Sequence, residues 1–109
     1  MYVSITGLTL KSPLMILRFY YHAIPCIKQA KTAKGNIHTS VKKINKVYHT
    51  LTGWESKEAM QDFLYNGAHK KAMRVFSKIA TGKTFGFDSD TLPSWADVPI
   101  LWQRQGKGY

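Results

Sequence analysis

Between Tyr48 and Met60 the spacing of apolar residues changes from strand-like to helix-like, and that joint constrains the fold more than any other part of the chain. Tyr48-His49-Thr50-Leu51-Thr52-Gly53-Trp54 alternates as the two faces of a strand do, whereas Ala59, Met60, Phe63 and Leu64 fall on one side of a helix. Ser56 is placed to cap that helix, and Glu58 lies in its first turn, near the positive end of the helix dipole. A half-buried strand that runs straight into an amphipathic helix implies a sheet with helices on one side.

The flanking segments complete the pattern. Tyr2 to Leu10 alternates Val3 and Ile5 against Ser4 and Thr6 and predicts a first strand. Ser12-Pro13 starts a helix expected to run to Ala33, with a kink at Pro25, which has no amide hydrogen to donate. Its polar positions Arg18, His22, Pro25 and Gln29 form one stripe on an otherwise apolar cylinder. Lys34-Gly35-Asn36 ends it; Asn36 to Lys42 and Lys46 to Trp54 read as a hairpin joined at Lys43-Ile44-Asn45. Asn66-Gly67 interrupts the next helix, Ala68 to Ile79 resumes it and Gly82 closes it. Thr84 to Phe87 is a fourth strand, Leu92 to about Arg104 a short helix, and Gly106 to Tyr109 a frayed tail.

Strand, helix, strand, strand, helix, strand is the ferredoxin-like order, so residues 1–109 are expected to form a single α+β domain. Val3, Ile5, Val47 and Leu51 point to one face of the sheet while Leu8, Leu10, Tyr48 and Trp54 point to the other. In a chain of 109 residues, a sheet apolar on both faces predicts cover from a second subunit, hence a homodimer.

Charge is distributed unevenly. The net charge is +10, and every one of the six acids lies at Glu55 or later, so the first 54 residues carry only Lys and Arg as fixed charges. Such a field draws polyanions, and a noncatalytic basic module for nucleic acid is the alternative reading of function. The apolar stretch Pro13 to Ile27 is interrupted by Arg18 and His22 and is shorter than the roughly 20 residues that span a bilayer, so a core helix is expected in place of a leader or anchor. A cytoplasmic chain with no membrane partner is the corresponding expectation. Cys26, the one cysteine, sits among apolar residues and reads as a buried thiol in a reducing compartment.

The run Thr50-Leu51-Thr52-Gly53-Trp54-Glu55-Ser56, continued by Ala59-Met60, Phe63 and Gly67-Ala68-His69-Lys70-Lys71-Ala72-Met73, resembles the dimeric α+β-barrel superfamily, and within it the antibiotic-biosynthesis monooxygenase type. The resemblance spans roughly Tyr2 to Phe87. The run Ile79-Ala80-Thr81-Gly82-Lys83-Thr84 and the Pro93-Ser94-Trp95 tail also resemble a small branch of bacterial proteins with no assigned activity. The resemblance implies two sheets facing each other in a homodimer and a ligand cleft between sheet and helices. The family includes cofactor-independent oxygenases, haem-degrading enzymes, isomerases and proteins with no known chemistry, and oxidation of an aromatic or polycyclic molecule without a bound cofactor is the leading reading among them. The haem-degrading branch would carry an Asn on the first strand, a Trp in the second helix and a His ten residues on. This chain has Ser4 and Thr6, Phe63 and Met73 there, so haem degradation is not expected.

His69 is the candidate catalytic residue, an imidazole at a helix start able to take or give a proton. The bland reading is that it caps the Asn66-Gly67 break by bonding backbone. Trp54 and Phe63 would form the wall of a binding cleft, though a Trp at a strand end more often belongs to a core. Arg18 and His22 could offer an anion-binding edge or simply be the wet stripe of their helix. His38 and His49 lie on paired strands, but two His without further ligands make no metal site, and no metal is expected. Trp95 and Trp102 should pin the C-terminal helix to the body or to the partner subunit. Lys83-Thr84-Phe85-Gly86-Phe87-Asp88 echoes an RNA-recognition signature, but Thr84 replaces a glycine, Asp88 a valine, and the run is on the fourth strand where the third is required.

Overall fold

The computed structural model describes residues 1–108. Its elements are β1 (Tyr2–Leu10), a 3-10 turn (Pro13–Met15), α1 (Ile16–Thr32), β2 (Asn36–Ile44), β3 (Val47–Trp54), α2 (Lys57–Leu64), α3 (Gly67–Ile79), β4 (Ala80–Asp88), α4 (Val98–Gln105) and β5 (Lys107–Gly108). The strands form one sheet in the order β2-β3-β1-β4-β5, with β1 antiparallel to both β3 and β4. The first four strands and the helices between them have the ferredoxin-like arrangement expected from the sequence, an α+β fold.

Local chemistry explains the joints. The Ser56 hydroxyl accepts from the Ala59 amide at 3.1 Å and starts α2, and Ser12 caps the 3-10 turn that precedes α1. The expected Pro13–Ala33 helix is therefore shorter by that turn, and α1 continues through the exposed Pro25. The β2–β3 hairpin turns on Asn45-Lys46, both at positive φ (50° and 67°), two residues later than the sequence suggested. β4 follows α3 without a loop, so Gly82 lies inside a strand and does not end the helix. The expected frayed tail also differs: Lys107 and Gly108 pair with Thr84 and Lys83 as a short edge strand, while Tyr109 lies outside the described residues.

The core has three parts. On the helix side of the sheet, Leu8, Phe19, Ile79 and Ala80 close one end, and Ala30, Trp54, Met60 and Phe63 the other. On the outer side, Val3, Ile5, Leu51 and Val98 are buried beneath Leu92, Trp95, Leu101 and Trp102. The sequence argument for a partner subunit assumed that this outer face had no cover of its own. The segment from Leu92 to Gln105 supplies one, and Trp95 and Trp102 hold it to the body of the same chain. Trp102 lies flat on Gly7, where no side chain would fit, and donates its indole N–H to the Lys83 carbonyl at 2.9 Å.

Candidate functional site

Two elements meet at the break between α2 and α3. Gly67 adopts φ +60°, a conformation that glycine tolerates, and the Gln29 amide of α1 fills the space beside it. Gln29 donates to the carbonyls of Asn66 (2.9 Å) and Phe63 (3.4 Å) and accepts from the His69 amide (3.0 Å). One side chain of α1 thus satisfies backbone groups that the broken helix leaves open.

Around this corner Trp54, Phe63 and His69 form a contiguous row of rings, the Trp54 stack, in which Trp54 and Phe63 stack and His69 is tilted against Phe63. The Trp54 and Phe63 rings lie 5.2 Å apart at 30° to each other, and the His69 ring lies 4.7 Å from Phe63, tilted by 55°. The structure therefore brings three of the sequence-derived candidates together. His69 Nδ1 is 3.2 Å from the Leu64 carbonyl; because a carbonyl only accepts, the ring proton resides on Nδ1 and Nε2 keeps its lone pair. Burial lowers the His69 pKa, partly offset by that bond, so the ring is neutral at physiological pH. His69 does cap the break as the bland reading held, and the bond that does so also sets its tautomer. Trp54 is fully buried, as a core residue would be, yet its indole N–H has no hydrogen-bond partner.

The other candidates lie apart from the stack. Arg18 is exposed on α1, and His22 is half-buried with its ring edge-on to Tyr21 at 5.1 Å. Of the stripe that the sequence marked as wetted, Arg18 and Pro25 are exposed and His22 is half-buried, while Gln29 faces the α2–α3 corner. His38 and His49 do not approach each other: His38 is opposite Gly53 and bonds the Ser40 hydroxyl at 2.8 Å, while His49 is opposite Lys42. His49 was weighed only as a metal ligand. It is 2% exposed, packs edge-on against Trp102 at 5.0 Å and leaves its Nδ1 without a partner. No group of three His, Cys, Asp or Glu able to hold a metal occurs among the described residues. Cys26 is buried, and that burial pushes its thiol up to about 11, which removes it as a nucleophile.

Between the two apolar ends, the helix side of the sheet presents the hydroxyls of Ser4, Thr6, Thr50, Thr52 and Thr84, neighbours by strand register. Thr84 bonds the Ile5 carbonyl at 3.3 Å and Thr52 the Ser4 carbonyl at 3.5 Å. Two surface recesses lie elsewhere: about 350 Å³ along β4 at Thr84, Phe85, Gly86, Gln105 and Lys107, and about 160 Å³ beside Trp102. Neither touches the Trp54 stack. Phe85 and Phe87 stack on each other at 5.0 Å, and Phe87 packs beneath the C-terminal segment. The sheet face on which an RNA-recognition module would stack bases is thus occupied by the chain itself.

No family model and no curated protein sequence matches the chain. Solved structures do. The fold is that of the antibiotic-biosynthesis-monooxygenase-like proteins. An antibiotic biosynthesis monooxygenase superposes with a TM-score of 0.74 at 8% identity, covering 84% of this chain and 100% of its own. SnoaB, a cofactor-independent oxygenase from Streptomyces nogalater, gives 0.69 at 12% identity, covering 85% and 97%. Rv0793 from Mycobacterium tuberculosis gives 0.74 at 8%, covering 86% and 100%. The monooxygenase-like fold implied by the sequence resemblance is therefore present, and no helix is long and apolar enough to cross a membrane among the described residues.

Proposed function

We propose that this chain binds a small aromatic or polycyclic molecule against the Trp54–Phe63–His69 stack and oxidises it with molecular oxygen and no bound cofactor. The observation that carries the reading is the buried indole N–H of Trp54, which has no acceptor. A buried donor without a partner costs about 1–3 kcal/mol, and a phenolic or quinone oxygen would satisfy it once the helices over this end of the sheet part to admit the ring, since neither recess reaches it. His69 Nε2 would take the proton from a phenol or activated ring CH2, and the fold shared with SnoaB supports this class of chemistry. Conversion of a ring CH2 and O2 to a ring C=O and water balances without an added reductant. Arg18 and His22 have no part in the reaction on this reading.

The homodimer expected from the sequence packed two outer sheet faces together, which the Leu92–Gln105 segment now covers, and we propose an edge-to-edge homodimer in its place. The outer edge of β4 beyond Thr84, where β5 stops pairing, offers a second copy unpaired backbone. Sedimentation velocity at micromolar concentration tests it, and a monomer there removes it.

A hydroxylated anthrone is a suitable probe. Binding should quench Trp54 fluorescence, read as the difference from Trp54→Phe, and quinone should form at the expense of oxygen. His69→Asn keeps a side-chain N–H for the Leu64 carbonyl while deleting the Nε2 base, and turnover should fall about 100-fold or more with little change in stability. Full turnover in His69→Asn, or no binding of the anthrone, overturns the proposal.

A further inference from the structure

Beside the stripe of Arg18 and Pro25, the outward side of α1 and of the 3-10 turn before it is apolar. Leu14, Leu17, Tyr21 and Ile24, spaced three, four and three apart, form a ridge with exposures of 89%, 81%, 76% and 52%. Phe19, Cys26 and Ala30 are buried on the opposite side of the same helix, so α1 is apolar on both sides and packs only one of them. A ridge of large apolar side chains this exposed marks an interaction surface.

Its surroundings specify the partner. Arg18, Lys28 and Lys31 are exposed on α1, and Lys70, Lys71, Arg74 and Lys78 on α3, which packs beside it. Neither helix contains an acid. The acids of the same layer, Glu58 and Asp62, belong to α2, while Glu55 lies beside Gly35 beyond the end of α1. A second copy would bring the same cations against these and be repelled. Nucleic acid would meet the charges but leave the leucines in water. A convex apolar ridge bordered only by cations matches a soft, flat, anionic surface, into which Leu and Ile sink while Lys and Arg remain among the headgroups.

We propose that the α1–α3 face docks the protein onto an anionic lipid bilayer, with Leu14, Leu17, Tyr21 and Ile24 inserted at the headgroup boundary. The chain lies on the membrane and does not cross it. The expectation of no membrane partner rested on spanning length, and sequence periodicity could not show which side of α1 faces outward.

Co-sedimentation of the full chain with phosphatidylcholine vesicles, with and without phosphatidylglycerol, tests this. Binding is expected only to the anionic vesicles and should weaken with salt. Leu14→Ser/Leu17→Ser changes two exposed positions, should leave the melting temperature unchanged, and should lower vesicle affinity at least about tenfold. Lys70→Glu/Lys71→Glu should weaken binding through charge alone. Three results overturn the proposal: no binding to anionic vesicles at low salt, or binding indifferent to the leucine substitutions, which is bare charge attraction and is also what nucleic acid would give. The third is a self-associated wild type that becomes monomeric in the leucine variant, which assigns the ridge to a second copy.

Discussion

Gly7→Ala tests the packing of the C-terminal segment most sharply. Gly7 is buried at the centre of β1, and a Cβ there would overlap Cε2 and Nε1 of the Trp102 indole. The glycine is not required by its backbone, since the positive-φ glycines are Gly35 and Gly67. The three atoms nearest to such a Cβ all belong to Trp102, so its indole is the main source of the penalty. The indole must move, straining its bond to the Lys83 carbonyl and its edge-on contact with His49. Overpacking costs about 1–3 kcal/mol and a weakened hydrogen bond about 0.5–1.5, so a loss of about 2–4 kcal/mol is expected. Urea unfolding followed by circular dichroism should show a lower midpoint with an unchanged slope. The decisive measurement is the double-mutant cycle: in a Trp102→Ala background, Gly7→Ala should cost less than about 0.5 kcal/mol, because the atoms it strikes are gone. An equal cost in both backgrounds, or a negligible cost in wild type, would refute the reasoning.

Two further predictions concern the histidines and the corner. Burial lowers the pKa of both His49 and His69, so the unfolded state binds their protons more readily than the folded state does. The stability they allow is complete above the ordinary histidine value of about 6.5 and is lost as pH falls from there toward the lower folded-state values, with a slope of up to about 1.4 kcal/mol per pH unit for each group. His49→Gln should flatten that slope, read from urea midpoints between pH 7.5 and 5, and an unchanged slope would contradict it. Gln29→Ala removes the bonds to Phe63, Asn66 and His69 and should cost about 1–3 kcal/mol. Amide exchange should rise first at Asn66 to His69, and a uniform rise across the chain would count against a local staple.

The parts of the fold legible in the sequence were those set by neighbours along the chain. The Trp54–Ser56 joint, the Asn66-Gly67 break and the element order depend on alternation, capping and glycine, all of which act within a few residues. The hairpin was misplaced because Lys46 takes a positive φ, which its residue type does not advertise. Periodicity assigned two faces to α1 but not which one meets the sheet, since both are rich in apolar residues. Gln29 appeared as one more polar position on a stripe because its partners lie 34 to 40 residues away. His49 and Trp102 were unreadable as a pair for the same reason. Within the candidate site, the residue types Trp54, Phe63 and His69 were legible. Their stacking, the tautomer of His69 and the unmet N–H of Trp54 arise only from tertiary placement.

The segment that seals the outer side of the sheet, Leu92 to Gln105, is joined to β4 only through the few residues between Asp88 and Leu92. It is in effect a tethered ligand for its own receptor surface, and two chains that exchange these segments would keep every contact that each makes alone. Dilution favours the self-sealed form, because the tether holds the local concentration of the segment high. Refolding at high protein concentration should therefore trap exchanged pairs that separate only as fast as Trp102 and Val98 release their grip.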